Sequence, residues 1–365
     1  MVGIILLVRS ATFVYKSIIN NAFIYKCGFY SFGESAHKSK GGINVRSSKR
    51  ALGVLIFILS IMLFATGCVE EGNEGAPESD ENTVGDSDLF IGMSFQEMNN
   101  PYFIAMNEAF EEAAESIGAE TIIADAQHDV SKQVNDIEDM IEHGIDILLI
   151  NPTDTEGVEN AVIAAKEAGV IVVAVDAQAA GPTDSFVGSK NYDAGYMAGQ
   201  KMAEDLNGEG KVAILDGIPV VPILERVEGF EDAIAEHSNI EIVDMQNGEQ
   251  DREKAMSVTE NMLQAHSELD AIFSVNDEGS MGVLGAIEAS NRDVKLYSVD
   301  GHPEAIEAIL EDGPFRATSA QFPGDQVRIG LGMALAKLWG AEVAPSEVPI
   351  DVELQTIENA EGFSW

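Results

Sequence analysis

From residue 89 onward, short apolar runs alternate with amphipathic stretches along the chain. The runs predict strands at 89–93, 121–124, 147–151, 170–176 and 186–187. A second series follows at 212–215, 240–245, 271–275, 295–300 and 317–320. Several are rich in Val and Ile without polar alternation, the mark of parallel strands buried on both faces. The intervening segments carry a helical period. Over 102–117, Phe103, Met106, Ala109, Phe110 and Ala113 share one face, and Glu111, Glu112 and Glu115 take the other. Gly118, Gly144, Gly169 and Gly340 stand where helices should stop. Repeated β–α alternation implies open parallel sheets with helices on both faces, and ten strands are many for one sheet. The expected class is therefore α/β, with two doubly wound parallel-sheet lobes.

Composition adds a boundary condition. The 365 residues include 62 Asp and Glu against 21 Lys and Arg, a net charge of −41. Basic residues gather at the start, where Arg9, Lys16, Lys26, Lys38, Lys40, Arg46, Lys49 and Arg50 face a single acid, Glu34. The remainder is more acidic still, which disfavours nucleic acid and anionic lipid as partners. Cys27 and Cys68 both precede the alternating region, so no disulfide is expected within it.

The basic cluster Ser47-Ser48-Lys49-Arg50 precedes an apolar run at 51–64 and then Ala65-Thr66-Gly67-Cys68. This order predicts a secretory signal at 45–67, too short an apolar run for a comfortable membrane span. An uncleaved anchor is the alternative reading. Small residues directly before a cysteine resemble a lipobox, with Cys68 lipidated and the body held outside the membrane. Gly, Glu, Asp, Asn and Ser dominate 69–87, the composition of a disordered tether. Residues 1–44 precede a complete signal, and the expectation is a mis-assigned start near Val45, or an extension.

In open α/β sheets the ligand crevice lies beyond the carboxyl ends of the strands. The polar residues ending the apolar runs are Asn151, Asp176, Asn276 with Asp277, Asp300 and Gln321. Carboxylates and amides suit a ligand made of hydroxyl groups. Asn99-Asn100-Pro101-Tyr102-Phe103 follows the first strand and brings an amide and two aromatic rings to the same edge. Taken singly, each of these residues is as well explained as a cap, a turn former or core. Other chemistries find little support. No Walker loop or dinucleotide fingerprint opens the first strand–helix junction. His128, His143, His237, His266 and His302 lack metal spacing, and no serine sits in a nucleophile elbow. Asp176 and Asp300 could imitate a glycosidase pair, yet hydroxyl binding is the preferred reading. No catalytic residue, metal or cofactor is assigned.

These residues resemble the ribose-type periplasmic sugar-binding proteins, with the type I periplasmic binding fold. The resemblance runs from about residue 89 to 354. It is carried by Asn99-Asn100-Pro101-Tyr102-Phe103, Leu148-Leu149-Ile150-Asn151-Pro152-Thr153-Asp154, Glu228-Gly229-Phe230, Asn276-Asp277-Glu278, Val299-Asp300-Gly301 and Ala320-Gln321-Phe322-Pro323. It implies two lobes joined by a three-stranded hinge, here 88–189 plus 324–349 for lobe one and 190–323 plus 350–365 for lobe two. It further implies ligand contacts from Asn100, Tyr102, Phe103, Asp176, Asn276, Asp300 and Gln321.

At three other pocket positions the chain departs from the family pattern. Ala177 and Leu224 stand where arginines are expected, and Gln250 where an aromatic ring would stack on the sugar. Loss of two guanidinium forks predicts a roomier, less polar side of the pocket. Asp176 then needs another donor. Gly217-Ile218-Pro219-Val220-Val221-Pro222 is expected to add a stiff apolar wall. The implied ligand is a monosaccharide, deoxysugar or polyol rather than ribose itself. The implied role is an extracytoplasmic solute-binding lipoprotein, not an enzyme, delivering that ligand to the permease of an ABC-type importer. A ligand-sensing protein of the same fold, presenting a signal molecule to a membrane receptor or kinase, is the alternative. Monomer is the default expectation, with the membrane reached only through the lipid.

Overall fold

The computed structural model describes residues 89–365. The leader, Cys68, the tether and residues 1–44 lie outside the described residues. One six-stranded sheet has the order β11-β5-β4-β3-β1-β2. Its strands are β1 (Phe90–Phe95), β2 (Glu120–Asp125), β3 (Ile147–Ile150), β4 (Ile171–Val175), β5 (Ser185–Ser189) and β11 (Glu347–Ile350). The second sheet has the order β12-β10-β9-β8-β6-β7. It comprises β6 (Glu209–Asp216), β7 (Asn239–Asn247), β8 (Ala271–Ser274), β9 (Lys295–Asp300), β10 (Phe315–Ala320) and β12 (Glu353–Thr356). Every pairing is parallel except β10 with β12.

Helices cover both faces of each sheet. α1 (Pro101–Ser116), α2 (Val130–Glu142), α3 (Glu159–Glu167) and α9 (Pro323–Leu338) pack on the first. α4 (Asn191–Asp205), α5 (Val221–Ala235), α6 (Arg252–Ala265), α7 (Asp277–Ser290) and α8 (Pro303–Leu310) pack on the second. The all-apolar strands are the reason. β3, Ile-Leu-Leu-Ile, is buried throughout, with Leu149 in one core cluster and Leu148 and Ile150 in the cluster across the sheet. Sheet two likewise separates a cluster around Ile272 and Leu296 from one around Phe273 and Tyr297.

The chain passes between the lobes three times: from β5 into α4, from β10 into α9, and from β11 into β12. α9 therefore belongs to the first lobe although lobe-two strands precede it. Its backbone lies so close to β4 that a Cβ on Gly330 would stand 2.8 Å from Val175 Cγ1.

The predicted strands are present, several of them longer than expected, with two additions. The run expected at 186–187 extends to the five residues of β5. The edge strands β11 and β12 were not predicted. Their partly exposed residues, with Pro349 inside β11, carry no apolar run.

Candidate functional site

Helix starts deliver the first group of side chains. Asn100 caps α1 by accepting from Tyr102 N at 3.0 Å, and Pro101 takes the first helical position, where a missing N–H is harmless. This sets Asn100, Tyr102 and Phe103 at the carboxyl end of the first sheet. Asn276 caps α7 in the second lobe in the same way, accepting from Gly279 N at 3.2 Å. The two strand-end aspartates are bent into the cleft by backbone that disfavours L-residues, with φ of 67° at Asp176 and 140° at Asp300.

The resulting cleft is narrow and partly open to solvent. Asn100, Tyr102, Phe103, Asp176, Ala177, Gln250, Asn276, Asp300 and Gln321 all line it. Leu224 does not. It is 52% exposed, because α5 begins at Val221 and turns Pro222, Ile223 and Arg226 inward. One residue on from Ile223 lies about 100° around the helix, which carries Leu224 to the solvent face. The expected loss of both guanidinium groups is corrected with it, since the Arg226 guanidinium faces the cavity.

Two hydrogen-bond networks hold the acids. In the first lobe Gln326 Nε2 donates to the Tyr102 hydroxyl at 2.8 Å. That hydroxyl donates to Asp176 Oδ1 at 3.1 Å. Asn151 Nδ2 donates to Asp176 Oδ2 at 3.0 Å, so Tyr102 and Asn151 satisfy the carboxylate beside Ala177. Asn151 stands behind the cavity wall rather than in it. In the second lobe Arg226 Nη1 donates to Asp300 Oδ1 at 3.2 Å and to Val275 O at 2.8 Å. Its Nε donates to Asn191 Oδ1 at 2.8 Å. Gln321 Nε2 adds a bond to Asp300 Oδ1 at 2.7 Å, and the Asp277 amide one to Oδ2 at 3.2 Å.

Burial pushes the Asp176 carboxyl up to about 6 against the opposing pull of Arg226. It raises Asp300 as well, again opposed by Arg226. Asp277 is raised by burial and by the adjacent Asp300. Burial and the Asp176 charge lift the Tyr102 phenol well above its ordinary value, so it remains a donor. Asn276 Nδ2 is buried at the cavity without a partner among the described residues. A donor in that position is free to meet an oxygen of a water or of a bound molecule.

The apolar lining comes from both lobes: Phe103, Pro152 and Ala177 from the first, and Ile218, Val220, Pro222 and Ile223 from the second. Gln250 steadies it, accepting from Ile218 N at 3.3 Å. The sequence pattern alone does not place Arg226, Gln96, Pro152 or Ile223 in the site. A helical wheel begun at Pro222 would have turned Arg226 inward.

Residues 91–342 match the family described as periplasmic binding protein domain. The chain belongs to that family. Among its ribose-type members, the ribose import binding protein RbsB of Bacillus subtilis is 38% identical over 310 residues, covering 84% of this chain and 99% of its own. RbsB of Haemophilus influenzae is 34% identical over 267 residues, covering 72% and 90%. An ABC transporter solute-binding protein of Bacillus halodurans, solved with bound myo-inositol, superposes with a TM-score of 0.71 at 31% identity. It covers 76% of this chain and 98% of its own. A counterpart from Actinobacillus succinogenes with bound D-allose gives 0.72 at 28% identity, covering 75% and 100%. The two networks lie at the carboxyl ends of the strands of both sheets, where open α/β sheets place their crevices.

Proposed function

We propose that this chain is an extracytoplasmic solute-binding lipoprotein that closes on a small hydroxylated ligand and delivers it to an ABC-type importer. The ligand is a monosaccharide, deoxysugar or polyol. One observation carries this reading: polar groups from both lobes, Asp176 on one side and Asn276, Asp300 and Arg226 on the other, line the same cleft. Carboxylates accept from ligand hydroxyls, while Arg226 and the unpartnered Asn276 amide donate to ligand oxygens. Relatives and structural neighbours described as binding ribose, D-allose and myo-inositol support the class. The apolar side chains that both lobes contribute favour a ligand that offers C–H surface as well as hydroxyl groups.

In this reading lobe one comprises 88–189 plus 324–349 and lobe two 190–323 plus 350–365, with lipidated Cys68 tying them to the outer face of the cell membrane. Ligand selects the closed arrangement, and the permease reads it. Binding rather than turnover is the assigned role, in keeping with a family of binding proteins.

Calorimetry on the folded protein against D-ribose, D-allose, xylitol, myo-inositol and a 6-deoxyhexose tests the reading. Saturable binding of at least one is expected, and silence from all five would refute it. Metabolic labelling with palmitate, lost in Cys68→Ala, tests the anchor.

A further inference from the structure

After β12 the chain makes a turn in which Thr356 N donates to Asn359 Oδ1 at 2.7 Å and Asn359 Nδ2 to Leu354 O at 2.9 Å. Ala360 is then fully buried, and Gly362 at φ 84° reverses the direction. Phe363 packs edge-on against Phe322, with ring centroids 6.2 Å apart. It also covers the Asp300-Gly301 turn, where a Cβ on Gly301 would lie 3.1 Å from Phe363 Cε1. Trp365 enters the seam between the lobes. Its indole meets the Tyr102 ring edge-on at 5.7 Å and the His302 ring edge-on at 5.7 Å. Its Nε1–H donates to the Asp300 carbonyl at 3.0 Å.

These contacts fall on the backs of two groups that face the cavity from opposite lobes. The Tyr102 ring is gripped edge-on by Phe103 and by Trp365, which fixes where its hydroxyl meets Asp176. The Asp300 carbonyl accepts from Gln321 N at 2.8 Å as well as from Trp365. Two donors on one carbonyl fix the peptide plane after a strained residue, and with it the direction of the carboxylate. Tyr102 belongs to α1 and Asp300 to β9, so a single side chain carried on from β12 touches both sides of the cleft.

We propose that Trp365 is a positioning residue for the ligand site, holding Tyr102 and Asp300 in register across the lobe seam so that the cleft favours its ligand-ready arrangement. The part of this inference that concerns ligand affinity rests on the binding reading above; the part that concerns the seam does not.

The test has two arms on the full chain. In the first, hydrogen–deuterium exchange without added sugar compares wild type, Trp365→Ala and Trp365→Phe. Trp365→Ala is expected to speed exchange in 100–106 and 299–303 while β8 keeps its protection. Trp365→Phe retains a ring but no N–H donor, so 100–106 stay protected and 299–303 alone lose protection. Unchanged exchange in both segments, or a rise spread evenly over the molecule, would overturn the proposal. In the second arm, D-ribose, D-allose and myo-inositol are titrated by calorimetry. Loss of the seam contacts should weaken the best binder about tenfold in Trp365→Ala, with smaller loss in Trp365→Phe. Equal affinity of wild type and Trp365→Ala would also overturn it. If none of the three binds wild type, the binding reading is in question, and the exchange arm still decides the seam.

Discussion

Arg226 Nη1 donates to Asp300 Oδ1 at 3.2 Å, and both side chains are buried. A pair of this kind is weak evidence for stability as such, but removing one partner strands the other charge. Arg226→Ala should therefore lower the unfolding free energy by about 3–5 kcal/mol in urea titration and abolish ligand binding. The double variant Arg226→Met with Asp300→Asn should recover much of the stability and none of the binding. A single variant as stable as wild type would remove Arg226 from this role.

Asp176 makes a pH-dependent contribution with a definite sign. Its carboxyl is raised from 3.8 to about 6 in the folded chain, so the native state holds the proton more tightly than the unfolded one. The contribution to stability is thus fully present below about 4 and is lost as pH rises through about 6, on the order of 3 kcal/mol in total. Urea titrations from pH 4 to pH 7 should show wild type losing stability relative to Asp176→Asn. A difference that stays flat across that window, or grows with pH, contradicts this account.

Asn276 separates capping from ligand donation. Asn276→Ser retains an oxygen for the α7 cap, so stability should change by no more than about 1 kcal/mol. The amide donor disappears, and affinity for the best sugar or polyol should fall by about tenfold. Calorimetry and denaturation on the same samples check the split. Unchanged affinity would show that Nδ2 is not the ligand's donor.

Leu224 and Ile223 are adjacent in sequence and opposite in environment, 52% against 2% exposed. Leu224→Ala should shift stability by no more than about 0.5 kcal/mol and leave ligand affinity alone. Ile223→Ala should cost about 2–4 kcal/mol and alter the apolar wall. Thermal melts and titrations of the two variants side by side suffice.

Much of this architecture was legible because parallel strands buried on both faces announce themselves as runs such as Ile147–Ile150. Their carboxyl-end residues could be listed for the same reason, and nine of the ten expected site positions line one cavity. The failures were those of local phase. Between Gly217 and Val221 no periodicity fixes where α5 starts, and a shift of one or two residues exchanges Leu224 for its inward neighbours. The edge strands β11 and β12 face solvent in part and have no apolar run to mark them. Trp365 was invisible to pattern reading because its partners, Tyr102 and Asp300, are distant in sequence and belong to different lobes.

The first lobe is not a continuous piece of chain: α9 and β11 complete it only after the whole of β6–β10 has been made. Until then the face of β4 that receives Gly330 stays bare, with Val173 and Val175 uncovered. The nascent lobe is consequently a poor folding unit, and the chain cannot lock its first half early during synthesis. An isolated fragment stopping at Ser189 should collapse loosely or aggregate, however native its strands. Late closure by α9 thus leaves the first lobe unlocked until the chain is close to its end.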